Sequence, residues 1–200
     1  MAYTTISKHT AHFNTKLYTG TGSSNAITGV GFQPDLVWIK NRATTGNHAL
    51  FNVISGVTKY INSNTNYSEQ TSAPTLTAFG TDGFTVGSSS DLNGNGNNIV
   101  SWNWKAGGAG SANSDGSTAT VKTSANATAG VSVVQYTGNG ANRTMGHGLG
   151  IAPDMILTKQ TSGTRDWYVG ATSIGWAAEL YLQSSAGSAS SPCTFNSTAP

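Results

Sequence analysis

Three side chains between residues 91 and 96 have the spacing that could bind a cation. The run Asp91-Leu-Asn93-Gly-Asn95-Gly follows the first half of a calcium loop, in which oxygen ligands alternate with spacers. A full loop needs a bidentate glutamate at its twelfth position, and Trp102 stands there. Asp91, Asn93 and Asn95 are therefore at most a weak calcium site, with an affinity of about millimolar. The favoured interpretation is an Asn-Gly hairpin between strands at Phe84 and Val100.

Aromatic side chains offer a second kind of chemistry, since a tryptophan face can stack on a sugar ring. Trp38 and Trp102 lie in strong strand patterns and are expected in the core. Trp167 stands between Asp166 and Tyr168 after a glycine-containing turn, and is expected to be exposed. Trp167 is therefore the candidate ligand-binding residue, with carbohydrate as its ligand.

The residues favour no catalytic chemistry. Hydrolysis of glycans needs two positioned carboxylates, and the chain has eight acidic residues in all. Asp35 and Asp154 each follow a proline before an apolar run, which is typical of a turn. His147 lies in a glycine-rich loop, and no nucleophile elbow, phosphate-binding loop or dinucleotide fingerprint is present. We expect a protein that is not an enzyme, with no catalytic residue, no cofactor and no transition metal.

Composition indicates an all-β fold. Only 9% of residues are charged, while Thr (28), Gly (25), Ser (24) and Asn (18) make up nearly half of the chain. These four types are poor helix formers, and the aromatic content argues against disorder. The ten basic residues are scattered and the net charge is +2, so nucleic acid is not an expected partner. No apolar run approaches a membrane span, and Cys193 is the single cysteine.

An internal repeat organises the sequence. The matching segments are KLYTGTG (16–22) with VQYTGNG (134–140), and GVGFQPDLVWIK (29–40) with GLGIAPDMILTK (148–159). Tyr18 and Tyr136 lie 118 positions apart, and Pro34 and Pro153 lie 119 apart. Weaker matches pair Tyr60-Ile61 with Tyr181-Leu182, and Phe79 with Phe195. A period this long is a domain-sized unit rather than a solenoid repeat.

The elements that must hold these residues are short strands, predicted at 36–39, 49–51, 84–86, 100–104, 131–136 and 155–157. They predict two tandem β-sandwich units of jelly-roll or concanavalin-like type. The expected divisions are an N-terminal segment (1–12), a first unit (13–105), a Gly/Ser/Thr-rich linker (106–129) and a second unit (130–200). The second unit lacks about 25 residues that complete the first, so we expect the natural chain to be longer, or else a partner chain to fill the gap.

The motifs resemble a known repeat. YTGTG, GVGFQPDLVWIKNR, TKYINSNT and VSWNWKAGG in the first copy, and GVSVVQYTGNG and GHGLGIAPDMILTK in the second, resemble a unit of tailed-bacteriophage virion proteins, often of marine phages. Proteins with this unit are commonly described as tail fibres or structural proteins, and their second unit usually continues further. The resemblance carries no catalytic signature.

The resemblance implies a protein of the virion. We expect a non-enzymatic surface protein of the tail-fibre or adhesin kind; the alternative is a capsid decoration or head-fibre protein with a purely structural role. The implied partners are other virion proteins of the capsid or tail, further copies in a trimer or symmetric array, and, for an adhesin, a glycan of the host surface. Neither nucleic acid nor membrane insertion is expected.

Overall fold

The computed structural model describes residues 6–117, 120–190, 195 and 197, and their fold is all-β, as predicted. Helical structure in these residues is confined to single turns: 3-10 turns at His9–Ala11 and Thr172–Ile174, and the α-helical turn α1 (Ser90–Asn93). None of these helices is long and apolar enough to cross a membrane. Cys193 lies outside the described residues. The number of sandwich units stays a prediction.

Two antiparallel sheets form the first half. Its strands are β1 (Phe13–Thr19), β2 (Asn25–Ile27), β3 (Leu36–Asn41), β4 (Ala49–Asn52), β5 (Lys59–Tyr60), β6 (Gln70–Thr71), β7 (Leu76–Gly80), β8 (Gly83–Val86) and β9 (Asn98–Trp104). The larger sheet has the order β1-β9-β3-β4 and the smaller one β2-β8-β7, while β5 and β6 form a separate hairpin.

The hydrophobic core lies between these two sheets. Val37, Phe51 and Ile99 belong to the larger sheet, and Phe84 and Val86 to the smaller one, and all five are members of one buried cluster. Along β3 the buried and half-buried positions alternate, as expected of a strand with one face on a core. The first half is therefore a sandwich held by alternating apolar residues.

The segment with the calcium-like spacing is a crossover, so the predicted Asn-Gly hairpin is wrong. β8 belongs to the smaller sheet and β9 to the larger, and the two strands do not pair. Helix α1 and the turn at Gly94–Asn97 carry the chain from one sheet to the other. The predicted strands were right, but an Asn-Gly pair marks a turn without saying which strands it joins.

The predicted linker differs from the structure because it contains paired strands. β10 (Ser111–Asn113), β11 (Thr120–Asn126) and β12 (Val131–Gln135) form one antiparallel sheet. Asp35 fixes the start of this segment: its Oδ2 accepts the backbone N–H groups of Ala106 at 2.8 Å and Gly108 at 3.1 Å. Small polar residues therefore do not make an independent connector here.

A four-stranded antiparallel sheet follows. Its strands are β13 (Met155–Lys159), β14 (Trp167–Ala171), β15 (Ala178–Tyr181) and β16 (Ala189–Ser190), in that order. β13 is the edge strand, with Met155 60% and Leu157 40% exposed. A continuous apolar run such as 155–157 is typical of a strand buried on both faces, and β13 departs from that pattern.

The register of this sheet repeats that of the first half at a constant distance of 119 residues. Leu36 opposes Asn52 in the β3–β4 pair, and Met155 opposes Ala171 in the β13–β14 pair. Lys59 opposes Thr71 in β5–β6, and Ala178 opposes Ser190 in β15–β16. The turn contacts repeat as well, since Lys40 and Lys159 both donate to the backbone of the turn that follows their strand.

The constant spacing corrects one of the weaker sequence matches. Tyr60 opposes Gln70 and its structural counterpart Glu179 opposes Ala189, so Tyr181 is not the counterpart of Tyr60. The chance similarity of two Tyr-aliphatic pairs misaligned this part of the repeat by two residues.

Trp38 and Trp102 lie outside the core, so the prediction that they belong to it is wrong. Both are half-buried, with ring centroids 5.9 Å apart, on the face of the larger sheet that points away from the core.

Candidate functional site

A polar cleft lies where β4, the β5–β6 hairpin and α1 meet. Its volume is about 180 Å³, smaller than a typical drug-sized pocket of about 300–1,000 Å³. The amide, phenol and carboxylate side chains that line it are Asn47, Tyr60, Asn62, Tyr67, Gln70 and Asp91. We call this feature the amide–tyrosine cleft.

The β5–β6 hairpin fixes the floor of the cleft. Tyr60 and Gln70 are directly opposed, and the Tyr60 hydroxyl donates to Gln70 Oε1 at 2.8 Å. The ring of Tyr60 packs on Phe51 with centroids 5.6 Å apart, so the core anchors it. Because the bond uses the carbonyl side of the Gln70 amide, the Nε2 group of Gln70 is left to donate to a ligand.

Asparagine side chains order the rim of the cleft. Asn64 Nδ2 donates to Asn47 Oδ1 at 2.9 Å, and Asn62 Nδ2 donates to the carbonyl of His48 at 2.7 Å. These bonds leave the Asn47 amide NH₂ and the Asn62 amide oxygen outside the network. The rim therefore offers both a donor and an acceptor in fixed positions.

Asp91 supplies the negative charge of the cleft. Asp91 is exposed and belongs to α1. Burial of the Tyr60 ring raises the pKa of Tyr60, and the nearby negative charge of Asp91 raises it further. The Tyr60 phenol therefore stays protonated and keeps donating at neutral pH. Among the described residues that line the cleft, Asp91 is the one carboxylate, so this lining contains no pair of carboxylates for acid–base chemistry.

The arrangement suits a ligand rich in hydroxyl groups. Amide donors and acceptors, a phenol and one carboxylate can each bond to sugar hydroxyls. Tyr67 is 51% exposed, so its ring is available as an apolar face for the ligand.

The second half places a different set of polar residues at the positions equivalent to the cleft. Asp166, Glu179 and Tyr181 stand 119 residues after Asn47, Tyr60 and Asn62. The Tyr181 hydroxyl donates to Glu179 Oε1 at 3.0 Å, and this bond is the main cause of a raised Tyr181 pKa. The equivalent site is thus rich in carboxylates where the first is rich in amides.

The comparison with protein families finds one match. The model of a family described as "Domain of unknown function (DUF7483)" matches residues 8–200. The chain belongs to the DUF7483 family. It matches no curated protein and no solved structure.

The DUF7483 match spans both copies of the repeat, from the first strand to the last. The amide–tyrosine cleft and its carboxylate-rich counterpart therefore both lie within the family's domain. Membership alone assigns neither of them a ligand.

The weak calcium candidates do not converge in this DUF7483 chain. Asn93 is fully buried, and its Oδ1 accepts from the Thr21 N–H at 2.9 Å and from Asn25 Nδ2 at 3.0 Å. Asp91 borders the cleft, while Asn95 is exposed beyond the end of α1. Because Asn93 already serves two donors, it is a poor third ligand for a cation. Across the described residues, no group of three or more His, Cys, Asp or Glu side chains could hold a metal ion.

Trp167 is buried, so its expected exposure is wrong. It is 5% exposed, and its indole N–H donates to the backbone carbonyl of Asn62 at 2.8 Å. A polar sequence neighbourhood misled the prediction, because Asp166 turns to Gln183 while the indole packs inward. Trp167 therefore supports the rim of the cleft from behind rather than offering a stacking face.

Sequence reasoning missed the amide–tyrosine cleft itself. Its lining residues are spread from position 47 to position 91, and Asn, Gln and Tyr form no motif. One available signal was the concentration of five asparagines between positions 47 and 66.

Proposed function

We propose that this chain is a non-enzymatic surface protein of a tailed-phage virion, of the tail-fibre or adhesin kind, and that the amide–tyrosine cleft binds a glycan of the host surface. The observation that carries the proposal is the cleft's lining: fixed amide donors and acceptors, an exposed tyrosine face and a single carboxylate. The resemblance of the repeat motifs to virion proteins supports the location.

The cleft's size fits a weak, repeated contact. A volume of about 180 Å³ accommodates a small group such as one sugar residue. A single contact of this kind is weak, and many copies on one particle would multiply it. An adhesin therefore works with a shallow site as long as the copies act together.

Glycan binding is tested with the purified chain. A glycan array identifies the ligand, and titration calorimetry then compares the wild type with Gln70→Ala and Tyr67→Ala. Each variant should weaken binding about fivefold to tenfold, the effect of losing about 1–1.4 kcal/mol. Tyr136→Ala is the matched control, because Tyr136 is a 39% exposed tyrosine outside the cleft lining. If neither Gln70→Ala nor Tyr67→Ala changes the affinity for the glycan, the cleft is not the glycan-binding site. If the chain binds no glycan at all, the adhesin role is contradicted.

The second candidate is a capsid decoration or head-fibre protein. The observation that favours it is the open outer edge of β13, with its exposed Met155 and Leu157, since open edges favour assembly with other chains. Gold-labelled antibody against the chain, viewed on intact virions, separates the two candidates. Label at fibre tips supports the adhesin, label over the capsid supports decoration, and virions without label contradict both.

We infer further that copies of the chain assemble into a trimer or a symmetric array on the particle, beside other capsid or tail proteins. Only 9% of residues are charged, so like-charge repulsion does little to keep copies apart. Sedimentation at micromolar concentration should detect an oligomer. A folded monomer at all concentrations, with no neighbouring copy in a map of the virion, would contradict the inference.

A further inference from the structure

β9 fills the space between β1 and β3 in the first half. It pairs antiparallel with both strands, with Tyr18 opposite Ile99 and Trp38 opposite Trp102. The backbone N–H of Arg42, just past β3, donates to Asn98 at 2.8 Å, so the even-numbered residues of β3 point their N–H and C=O groups towards β9.

The described residues of the second half repeat the two outer strands without forming a strand between them. β12 is the counterpart of β1, and β13 is the counterpart of β3. Each is the edge strand of its sheet, and no strand formed by the described residues pairs with the free edge of either one. By the register of the repeat, Met155, Leu157 and Lys159 direct their backbone groups into this space.

β11 lies on the other edge of β12 and does not take the place of β9. The carbonyl oxygen of Ala125 faces Gly107, since a Cβ built on Gly107 would stand 2.6 Å from it. Gly107 lies on the side of β11 opposite β12, so the Ala125 carbonyl points away from β12. The neighbouring residues of β11 then bond to Val133 and Gln135, since successive residues of a strand face opposite neighbours. This leaves the backbone groups of Ser132 and Val134 facing the free edge.

Side chains that are covered in the first half are exposed at the equivalent positions of the second. Tyr18 packs on Phe84 and bonds to the carbonyl of Leu92, whereas its counterpart Tyr136 is 39% exposed. Trp38 packs on Trp102, whereas its counterpart Leu157 is 40% exposed.

Two further pairs behave in the same way. Phe32 is 4% exposed and its counterpart Ile151 is 70% exposed. Asp35 is buried and accepts a hydrogen bond from the segment that follows β9, whereas its counterpart Asp154 is exposed.

We propose that the free edges of β12 and β13 form a binding site for one extended polypeptide strand, which adds between them as β9 adds between β1 and β3. We call this site the strand slot. The occupant is a segment with the alternating pattern of β9, in which Val100, Trp102 and Trp104 face outward and Ile99 faces the core. It is supplied by a partner polypeptide that carries this alternating apolar pattern. Main-chain bonds to both edges hold it, and its outward side chains cover Met155 and Leu157.

The test uses the full chain and a synthetic, fluorescently labelled peptide, NNIVSWNWKA, which repeats residues 97–106. Fluorescence anisotropy should show saturable binding with one peptide per chain. A peptide that carries V100D and W102D should bind at least about tenfold more weakly, because its charges would meet the apolar face of the slot. The readout needs neither glycan nor virion, so its outcome is independent of the proposed function.

Variants of the chain locate the peptide. The double variant Met155→Asp/Leu157→Asp should lose peptide binding, whereas Leu17→Asp should keep it, since Leu17 is a 65% exposed leucine on β1. Hydrogen exchange of the backbone amides in β12 and β13 should slow when the peptide is bound. Absence of binding by a monomeric chain overturns the proposal. So does an oligomer that excludes the peptide and that the double variant dissociates, because copies of the chain would then pair at this edge themselves.

Discussion

The side-chain amide of Asn93 connects three separate parts of the first half. Its Oδ1 accepts from the Thr21 N–H, and its Nδ2 donates to the carbonyl of Gly87 at 2.7 Å and to that of Ser23. Spacing in the sequence suggested a cation ligand, but a buried amide with this many backbone partners is a structural residue. The local pattern could not reveal this, because the partners lie 6 to 72 positions away.

Replacement of Asn93 should therefore destabilise the fold strongly. We expect Asn93→Ala to lower the free energy of unfolding by about 3 kcal/mol, because several backbone groups lose their buried partner. Urea denaturation followed by tryptophan fluorescence measures the change. Asn95→Ala is the control, since Asn95 is exposed and two positions away; its effect should stay within about 0.5 kcal/mol. Equal effects of the two substitutions would contradict the structural role of Asn93.

Asp82 is a second single residue with a structural role, and it makes a pH-dependent contribution to the stability of the fold. Its carboxylate accepts the backbone N–H groups of Gly29 at 2.8 Å and Gly31 at 2.6 Å, and these bonds lower the pKa of Asp82. A carboxyl group with a lowered folded-state pKa stabilises the fold above its unfolded pKa of about 3.9. The contribution is lost as the pH falls through the lowered value.

Asp82→Asn should consequently reduce the stability at pH 7, and the difference from the wild type should shrink as the pH falls below about 4. Denaturant titrations at a series of pH values measure this. Asp115→Asn is the control, because Asp115 is an exposed aspartate whose carboxylate bonds to no described residue. A difference between wild type and Asp82→Asn that stays constant down to acid pH would refute the explanation.

At the scale of elements, the repeat was the most useful signal in the sequence. The proline-aspartate motif predicted equivalent strands at 36–39 and 155–157, and the structure gives both the same hairpin register. The strands of the 106–129 segment were missed because Gly, Ser and Thr carry little hydrophobic alternation there. Exposure of β13 was also missed, since burial depends on which neighbouring strand is present and not on the strand's own residues.

A matched pair of glycines tests how the two copies differ. Gly20 lies tightly against the α1 crossover, where an added Cβ would stand 2.1 Å from the carbonyl oxygen of Gly94. A Cβ built on Gly138, the counterpart 118 residues later, would meet no atom of the described residues within 4 Å, its two chain neighbours aside.

We expect Gly20→Ala to lower the free energy of unfolding by about 2 kcal/mol or more, because the backbone of the crossover must move. Gly138→Ala should be neutral, or stabilising by up to about 1 kcal/mol, because alanine restricts the unfolded chain. Thermal and urea unfolding of the two variants give the comparison. A Gly138→Ala substitution as destabilising as Gly20→Ala would indicate that Gly138 is packed as closely as Gly20, and would contradict the difference between the copies.

At the scale of the whole molecule, loops from the two copies are hydrogen-bonded to each other. The Glu69 N–H donates to the carbonyl of Thr161 at 2.9 Å, and the Arg165 N–H donates to that of Asn66 at 3.0 Å. Trp167 adds its indole bond to Asn62, whose side chain lines the amide–tyrosine cleft. The loop that forms one wall of the cleft is thus held in place by the second copy. The spacing of the repeat in the sequence could not predict this contact between the copies.

Trp167→Phe should loosen this loop while leaving most of the packing in place. The substitution keeps an aromatic ring but removes the indole N–H, so the Asn62 carbonyl loses its partner at a cost of about 1–3 kcal/mol. Hydrogen exchange should quicken at residues 62–69, and the free energy of unfolding should fall. Trp176→Phe is the matched control: Trp176 is also buried, at 9% exposure, but packs on the ring of Phe195 at 5.8 Å. It should leave exchange at 62–69 unchanged. If Trp167→Phe leaves the exchange of that loop at the wild-type rate, the cleft wall does not depend on the second copy.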